Sequence, residues 1–125
     1  MEAELLVTLI KCNDLVIEDE FKLFECISTW LKSKKSIMFR DGEENVNLHF
    51  DKYVDLIIPH VRFPMMTLNQ LADLLLNPLS KSHEHLIVDR IRMGVKYHKN
   101  LIENITNYDS RLFTPRLVRL KVHTA

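Results

Sequence analysis

Glycine is scarce in this chain, and its scarcity restricts the fold. Only Gly42 and Gly94 occur among 125 residues, against an average usage of about 7%. So few glycines disfavour a hairpin-rich all-β fold and a glycine-rich phosphate-binding loop, and they favour helices. Net charge is also missing, because 17 basic residues balance 17 acidic ones. No overall field therefore attracts nucleic acid or an anionic membrane.

Cysteines and long apolar runs are the next things the sequence has little of. Cys12 and Cys26 are the only two cysteines, too few for a disulfide scaffold and too far apart for a CxxC metal pair. Their apolar, helix-like surroundings predict reduced thiols in the core. No apolar run approaches the ~18 residues of a membrane-spanning helix. The acidic start Met-Glu-Ala-Glu differs from the basic start of a signal peptide.

What the sequence does contain is hydrophobic periodicity of the helical kind. Apolar residues recur at spacings of three and four, and a capping box at Thr67-Leu68-Asn69-Gln70 marks the start of a helix. We therefore predict an all-α fold of about five helices in stacked antiparallel pairs. The predicted helices are 3–12, 19–33, near 50–58, 67–76 and about 83–98.

Two segments lack this periodicity. Residues 33–48 are rich in both charges and contain Gly42, which predicts a solvated loop. Beyond residue 100 the pattern fades into a basic segment with Thr114-Pro115. We therefore divide the chain into a helical domain at 1–100 and a basic tail, or linker towards a following domain, at 101–125.

No pattern for catalysis, a cofactor or a metal emerges from the reactive residues. His83 and His85 lie two apart, so on a helix they point to nearly opposite sides. No HExxH motif, nucleophile elbow or phosphate-binding loop occurs. The sequence thus predicts neither an enzyme nor a nucleic-acid binder, and no cofactor. Asn104-Ile105-Thr106 is a glycosylation sequon, which has meaning only if the protein enters the secretory route.

Two large side chains leave alternatives open. Arg62, between Val61 and Phe63, could donate hydrogen bonds to carbonyls at a helix end, or it could contact a partner. Trp30 could anchor the core, or it could be an exposed interface residue. For both residues we favour the structural role.

Several short motifs in order resemble the BACK domain, the helical module that follows a BTB/POZ domain in many adaptor proteins. Residues 4–98 carry the resemblance, although the segment 33–48 is longer than in the Kelch-linked branch. The matching motifs are Leu5-Leu6, Asp14-Leu15, Phe24-Glu25, Trp30, His60-Val61-Arg62-Phe63-Pro64, Pro78-Leu79, Lys81-Ser82 and Lys96-Tyr97-His98. Of these, the resemblance implies structural roles for Phe24, Trp30, residues 60–64, Tyr97 and His98.

The resemblance implies a non-catalytic protein-interaction module. Such a module is a spacer between a BTB domain of the same chain and a C-terminal recognition domain, often in a cytoplasmic cullin-RING ubiquitin ligase. The cullin would then be an indirect partner, and a homodimer would form through the BTB domain, which lies outside this sequence. The alternative is a secreted BTB–BACK protein that self-assembles and binds glycans or matrix. No membrane contact is implied.

Overall fold

The computed structural model describes residues 2–102 and 107–116, and all of their longer elements are helices. This confirms the predicted all-α class. The six α-helices are joined by short connections and by single 3₁₀ turns. Their bounds are α1 Ala3–Lys11, α2 Glu20–Arg40, α3 Val46–Ile57, α4 Leu68–Asp73, α5 Pro78–Ser82 and α6 Glu84–His98. The 3₁₀ turns are Ile58–His60, Phe63–Met65, Leu74–Leu76 and Ser110–Phe113.

The helix starts follow the capping signals of the sequence. Asp19 caps α2, with its carboxylate accepting a hydrogen bond from Lys22 N at 2.7 Å. Thr67 and Gln70 form the predicted reciprocal capping box at α4, with bonds of 3.0 and 3.1 Å. Each cap satisfies backbone N–H groups that have no partner inside the helix.

The predicted loop at 33–48 is wrong over most of its length. Helix α2 continues to Arg40 and α3 begins at Val46, so only residues 41–45 connect them. Two kinds of packing stabilise the extension, and neither is evident from the charged sequence. Met38 is buried, and two lysines of α2 lie over aromatic rings of α3. Lys34 Nζ is 5.9 Å from the Tyr53 ring centroid and Lys35 Nζ is 4.6 Å from that of Phe50.

The core lies where α1, α2, α3 and α6 surround the segment 58–66. The buried residues of α2 repeat along one face, as in Phe24, Ile27 and Leu31. Helix α6 crosses the Phe63–Met65 turn at Gly94, where a Cβ atom would lie 3.1 Å from the Phe63 carbonyl oxygen and 3.0 Å from Leu71 Cδ1. Gly94 therefore lies at a close approach between α6 and the Phe63–Met65 turn.

The cysteine prediction is half right. Cys12 and Cys26 are both free thiols, but both are exposed rather than in the core. Cys12 lies just beyond the last turn of α1, and Cys26 lies on the outer face of α2. The apolar neighbours that suggested burial face the core from adjacent positions of the helices.

The described part of the C-terminal segment packs onto the helices. Leu112 and Arg116 are both buried, at 5% exposure each, and the Phe113 ring lies 5.1 Å from that of Tyr97. Leu112 and Phe113 therefore join the core beside α6, and Arg116 is bonded to the end of α1. The division at residue 100 stays a prediction, and Asn104 lies outside the described residues.

Candidate functional site

The turn at 58–65 is the centre of the site. Pro59 and Pro64 lie in the first turns of two successive 3₁₀ helices, where the missing N–H of proline costs no hydrogen bond. Between them Val61 and Phe63 are fully buried. The Phe63 ring meets Phe24 of α2 edge to face, with centroids 5.9 Å apart. Residues 61–64 and Phe24 are thus brought together in the core.

Arg62 is buried to 1% exposure in the same turn, although its side chain is charged. Its Nη1 donates to the Thr114 carbonyl at 2.7 Å, and its Nη2 donates to Lys11 O at 3.2 Å and to Asn13 Oδ1 at 2.7 Å. Lys11 is the last residue of α1. Arg62 therefore does bond a helix-end carbonyl, but the helix is α1 rather than the preceding α3.

Among residues 2–102 and 107–116, Glu20 is the only acidic residue whose carboxylate accepts a hydrogen bond from this turn. Its Oε1 accepts the Arg62 backbone N–H at 2.6 Å, and its Oε2 accepts from Arg116 Nε at 2.9 Å. The Glu20 and Arg116 side chains are 2% and 1% exposed. The pair is therefore fully desolvated, and its energy depends on every remaining polar atom finding a partner.

Backbone carbonyls accept most of the remaining hydrogen bonds of the Arg116 guanidinium. Its Nη1 donates to Ile10 O, with which the contact is short, and to Cys12 O at 3.2 Å. Its Nη2 donates to His60 O and Glu20 Oε1, at 3.2 and 3.3 Å. With Arg62 on Lys11 O, the two guanidiniums bond three carbonyls at the C-terminal end of α1, the negative end of the helix dipole.

The charges of this network do not cancel, since two guanidiniums face one carboxylate. Burial, and after it the neighbouring positive charge of Arg116, lower the pKa of Arg62 from its ordinary value. Carbonyl dipoles from α1, His60 and Thr114 offset the excess positive charge. The arrangement holds four chain segments at one point. We call Glu20, Arg62 and Arg116 the buried arginine network.

His60 lies at the edge of this network. Its carbonyl accepts from Arg116, while its ring is half-buried. Burial is the main cause that lowers the pKa of His60 from 6.5, and the charge of Lys11 lowers it further. The neutral form of the ring is therefore favoured in the folded protein.

The other motif residues lie elsewhere. Trp30 is half-buried at the margin of the core, edge to face with Tyr53 at 6.3 Å between centroids, so it packs against the core without being one of its buried residues. Tyr97 packs on Phe113, and His98 Nε2 donates to the Met66 carbonyl at 2.5 Å. The first contact joins the end of α6 to the C-terminal segment, and the second joins it to the turn after Pro64.

Sequence reasoning missed Glu20 and Arg116. Glu20 follows the N-cap of α2 and was one of several acids that suit a helix N-terminus. Arg116 was one of several bases in the tail. Neither had a local partner that would mark it, since the two residues are 96 positions apart.

A second polar chain joins α3 to the junction of α5 and α6. Asp51 Oδ1 accepts from His83 Nε2 at 2.7 Å, and His83 Nδ1 lies 2.8 Å from Ser82 Oγ. These are the residue types of a hydrolase triad, but Ser82 ends α5 and its Oγ also bonds Leu79 O at 3.2 Å. The carbonyl end of a helix disfavours a developing oxyanion. These hydrogen bonds attach the start of α6 to α3, which is a structural role.

Across 2–102 and 107–116, no group of three or more His, Cys, Asp or Glu side chains could hold a metal ion. None of the helices in these ranges is long and apolar enough to cross a bilayer.

Comparisons with known proteins give no further guide. No family model matches the chain, and neither a curated protein nor a solved structure matches it.

Proposed function

We propose that this chain is a non-catalytic, stiff helical interaction module. The observation that carries the proposal is the buried arginine network, which bonds α1, α2, the 58–65 turn and the segment ending at Arg116 to one another. Buried charges are costly unless they are paired or hydrogen-bonded, and a network with bonds to several segments resists displacement of any one of them. Such a node keeps the N-terminal helix and the C-terminal segment in a fixed relation.

A fixed relation between two segments is what a spacer requires. The resemblance to BACK domains, which includes Arg62 of the network, supports a spacer between a BTB domain and a C-terminal recognition domain. In that role the module sets the distance between a bound substrate and the ubiquitin-charged enzyme of a cytoplasmic cullin-RING ligase. Its functional residues are those that hold the arm together.

Stiffness is tested by a spin-label distance between the two segments. Labels at Cys12 and at a Ser110→Cys substitution, in a Cys26→Ser background, use two exposed positions on either side of the network. We expect a narrow distance distribution that Arg116→Met broadens. Arg111→Met is the matched control, because Arg111 is exposed in the same segment. A broad distance distribution in the protein that keeps Arg116 would contradict the spacer role.

The ligase assignment is tested with the native protein and with the chain alone. The native protein should co-purify with a cullin scaffold, and its Asn104 should carry no glycan. The chain alone should bind a cullin N-terminal domain more weakly than ~10 μM in calorimetry, since the BTB domain supplies the family's main contact. Submicromolar binding would contradict the spacer role, and a glycan on Asn104 would favour the secreted alternative.

A further inference from the structure

A groove of about 440 Å³ lies between one face of α2 and helix α5. Its apolar lining is formed by Phe50, Pro78 and Leu79, of which Phe50 and Leu79 are buried. Ser28 Oγ and Asn77 Oδ1, 3.4 Å apart, lie on its walls. The volume is within the range of sites that take a small molecule or a few residues of peptide.

The two ends of the groove carry opposite charges. Glu25 lines one end with a side chain that is 45% exposed, and Lys22 Nζ lies 3.5 Å from its Oε1. Lys32 and Lys35 line the other end. The ion pairs among residues 2–102 and 107–116 use neither lysine. Lys35 instead lies over the Phe50 ring.

The spacing of these charges fits a peptide in extended conformation. At 1.5 Å per helical residue, Lys32 and Lys35 lie about 10 and 15 Å along α2 from Glu25. An extended chain covers that distance in about three to five residues, at ~3.3 Å each. Alternate side chains of such a peptide face the same way, so its charged ends and its central apolar side chain reach the groove together.

We propose that this groove binds a short extended segment of a partner protein. A basic side chain of the segment pairs with the exposed part of the Glu25 carboxylate. A central apolar side chain covers Phe50 and Leu79, and an acidic side chain pairs with Lys32 and Lys35. The proposal does not depend on the domains that flank the chain, so it goes beyond the spacer role.

The test is a titration of the isotope-labelled chain followed by amide NMR shifts. The probes are the capped peptides Arg-Ser-Leu-Ser-Glu and Glu-Ser-Leu-Ser-Arg, which present the pattern in both chain directions. At about 2 mM peptide, a concentration suited to weak binding, we expect shifts at Ser28, Thr29 and Leu79 for at least one probe. If neither peptide changes the amide shifts of these residues, the proposal is overturned.

Charge variants decide whether the lysines recognise the acid. Lys32→Glu should weaken the better probe about threefold or more, within the range of exposed ion pairs. Lys52→Glu is the matched control, because Lys52 is an exposed lysine of α3 that does not line the groove. If Lys32→Glu and Lys52→Glu weaken peptide binding equally, the groove does not recognise an acidic residue. The same conclusion follows if the probe binds equally well with Gln in place of its Glu. Dispersed amide spectra verify that each variant is folded.

Discussion

The Glu20 carboxylate and the Arg116 guanidinium, 96 residues apart in the sequence, pair at 2.9 Å with both side chains almost wholly buried. The pair ties the first turn of α2 to the C-terminal segment. Arg62 joins it through its backbone N–H on Glu20. This contact explains how a segment that reads as a basic tail becomes part of the core.

Breaking this pair should be costly. Arg116→Met removes one partner and leaves Glu20 buried beside carbonyls that have lost their donors. We expect the free energy of unfolding to fall by about 3–5 kcal/mol, measured by urea denaturation. Arg111→Met, at an exposed position of the same segment, should change it by less than about 0.5 kcal/mol. Similar losses in both variants would show that the segment contributes by chain packing alone.

Gly94 should not tolerate a methyl group. A Cβ atom there meets the Phe63 carbonyl oxygen at 3.1 Å and Leu71 at 3.0 Å, and the backbone oxygen cannot move aside cheaply. Gly94→Ala should therefore lose about 1 kcal/mol, although alanine in a helix interior normally gains about that amount. Thermal denaturation compares it with Asp89→Ala on the exposed face of α6. A higher melting temperature for Gly94→Ala would contradict the close packing.

Trp30 and Phe24 should differ in their contributions to stability. Phe24 is fully buried against Phe63, so Phe24→Ala should cost about 3–5 kcal/mol. Trp30 is half-buried beside Tyr53, so Trp30→Ala should cost about half as much or less. Urea denaturation of the two variants measures both values. The reverse order would place the tryptophan, not the phenylalanine, in the core.

His60 should make stability depend on pH. Because burial lowers its pKa in the folded state, the unfolded state binds the proton more tightly. Stability contributed by the neutral ring is therefore present above pH ~6.5 and decreases as the pH falls through that value. His60→Gln should reduce this decrease between about pH 7 and 5, in urea denaturation at each pH. An unchanged pH dependence in the variant would show that other groups cause it.

The sequence by itself determined the fold class and the starts of α2 and α4. Apolar spacing produces an amphipathic helix wherever the stripe occurs, and Asp19 and Thr67-Gln70 cap helices through bonds within three residues. The resemblance also marked residues 60–64 as one motif, and the structure buries Val61, Arg62, Phe63 and Pro64 together. The helical stripes and the caps depend on neighbours in the chain, so a pattern in the chain reveals them.

Only the tertiary structure decided which charges are buried and where α2 ends. Arg116 and Glu20 look like ordinary surface residues, because charged side chains are seldom buried and nothing local identifies a partner 96 residues away. Lys34 and Lys35 fell in a segment that the sequence predicted to be a solvated loop. In the structure they cover aromatic rings of α3, and the sequence does not show that contact. Trp30 shares a helix with the core residues, yet it lies at the margin of the core beside Tyr53 of α3. In each case the deciding contact comes from another segment.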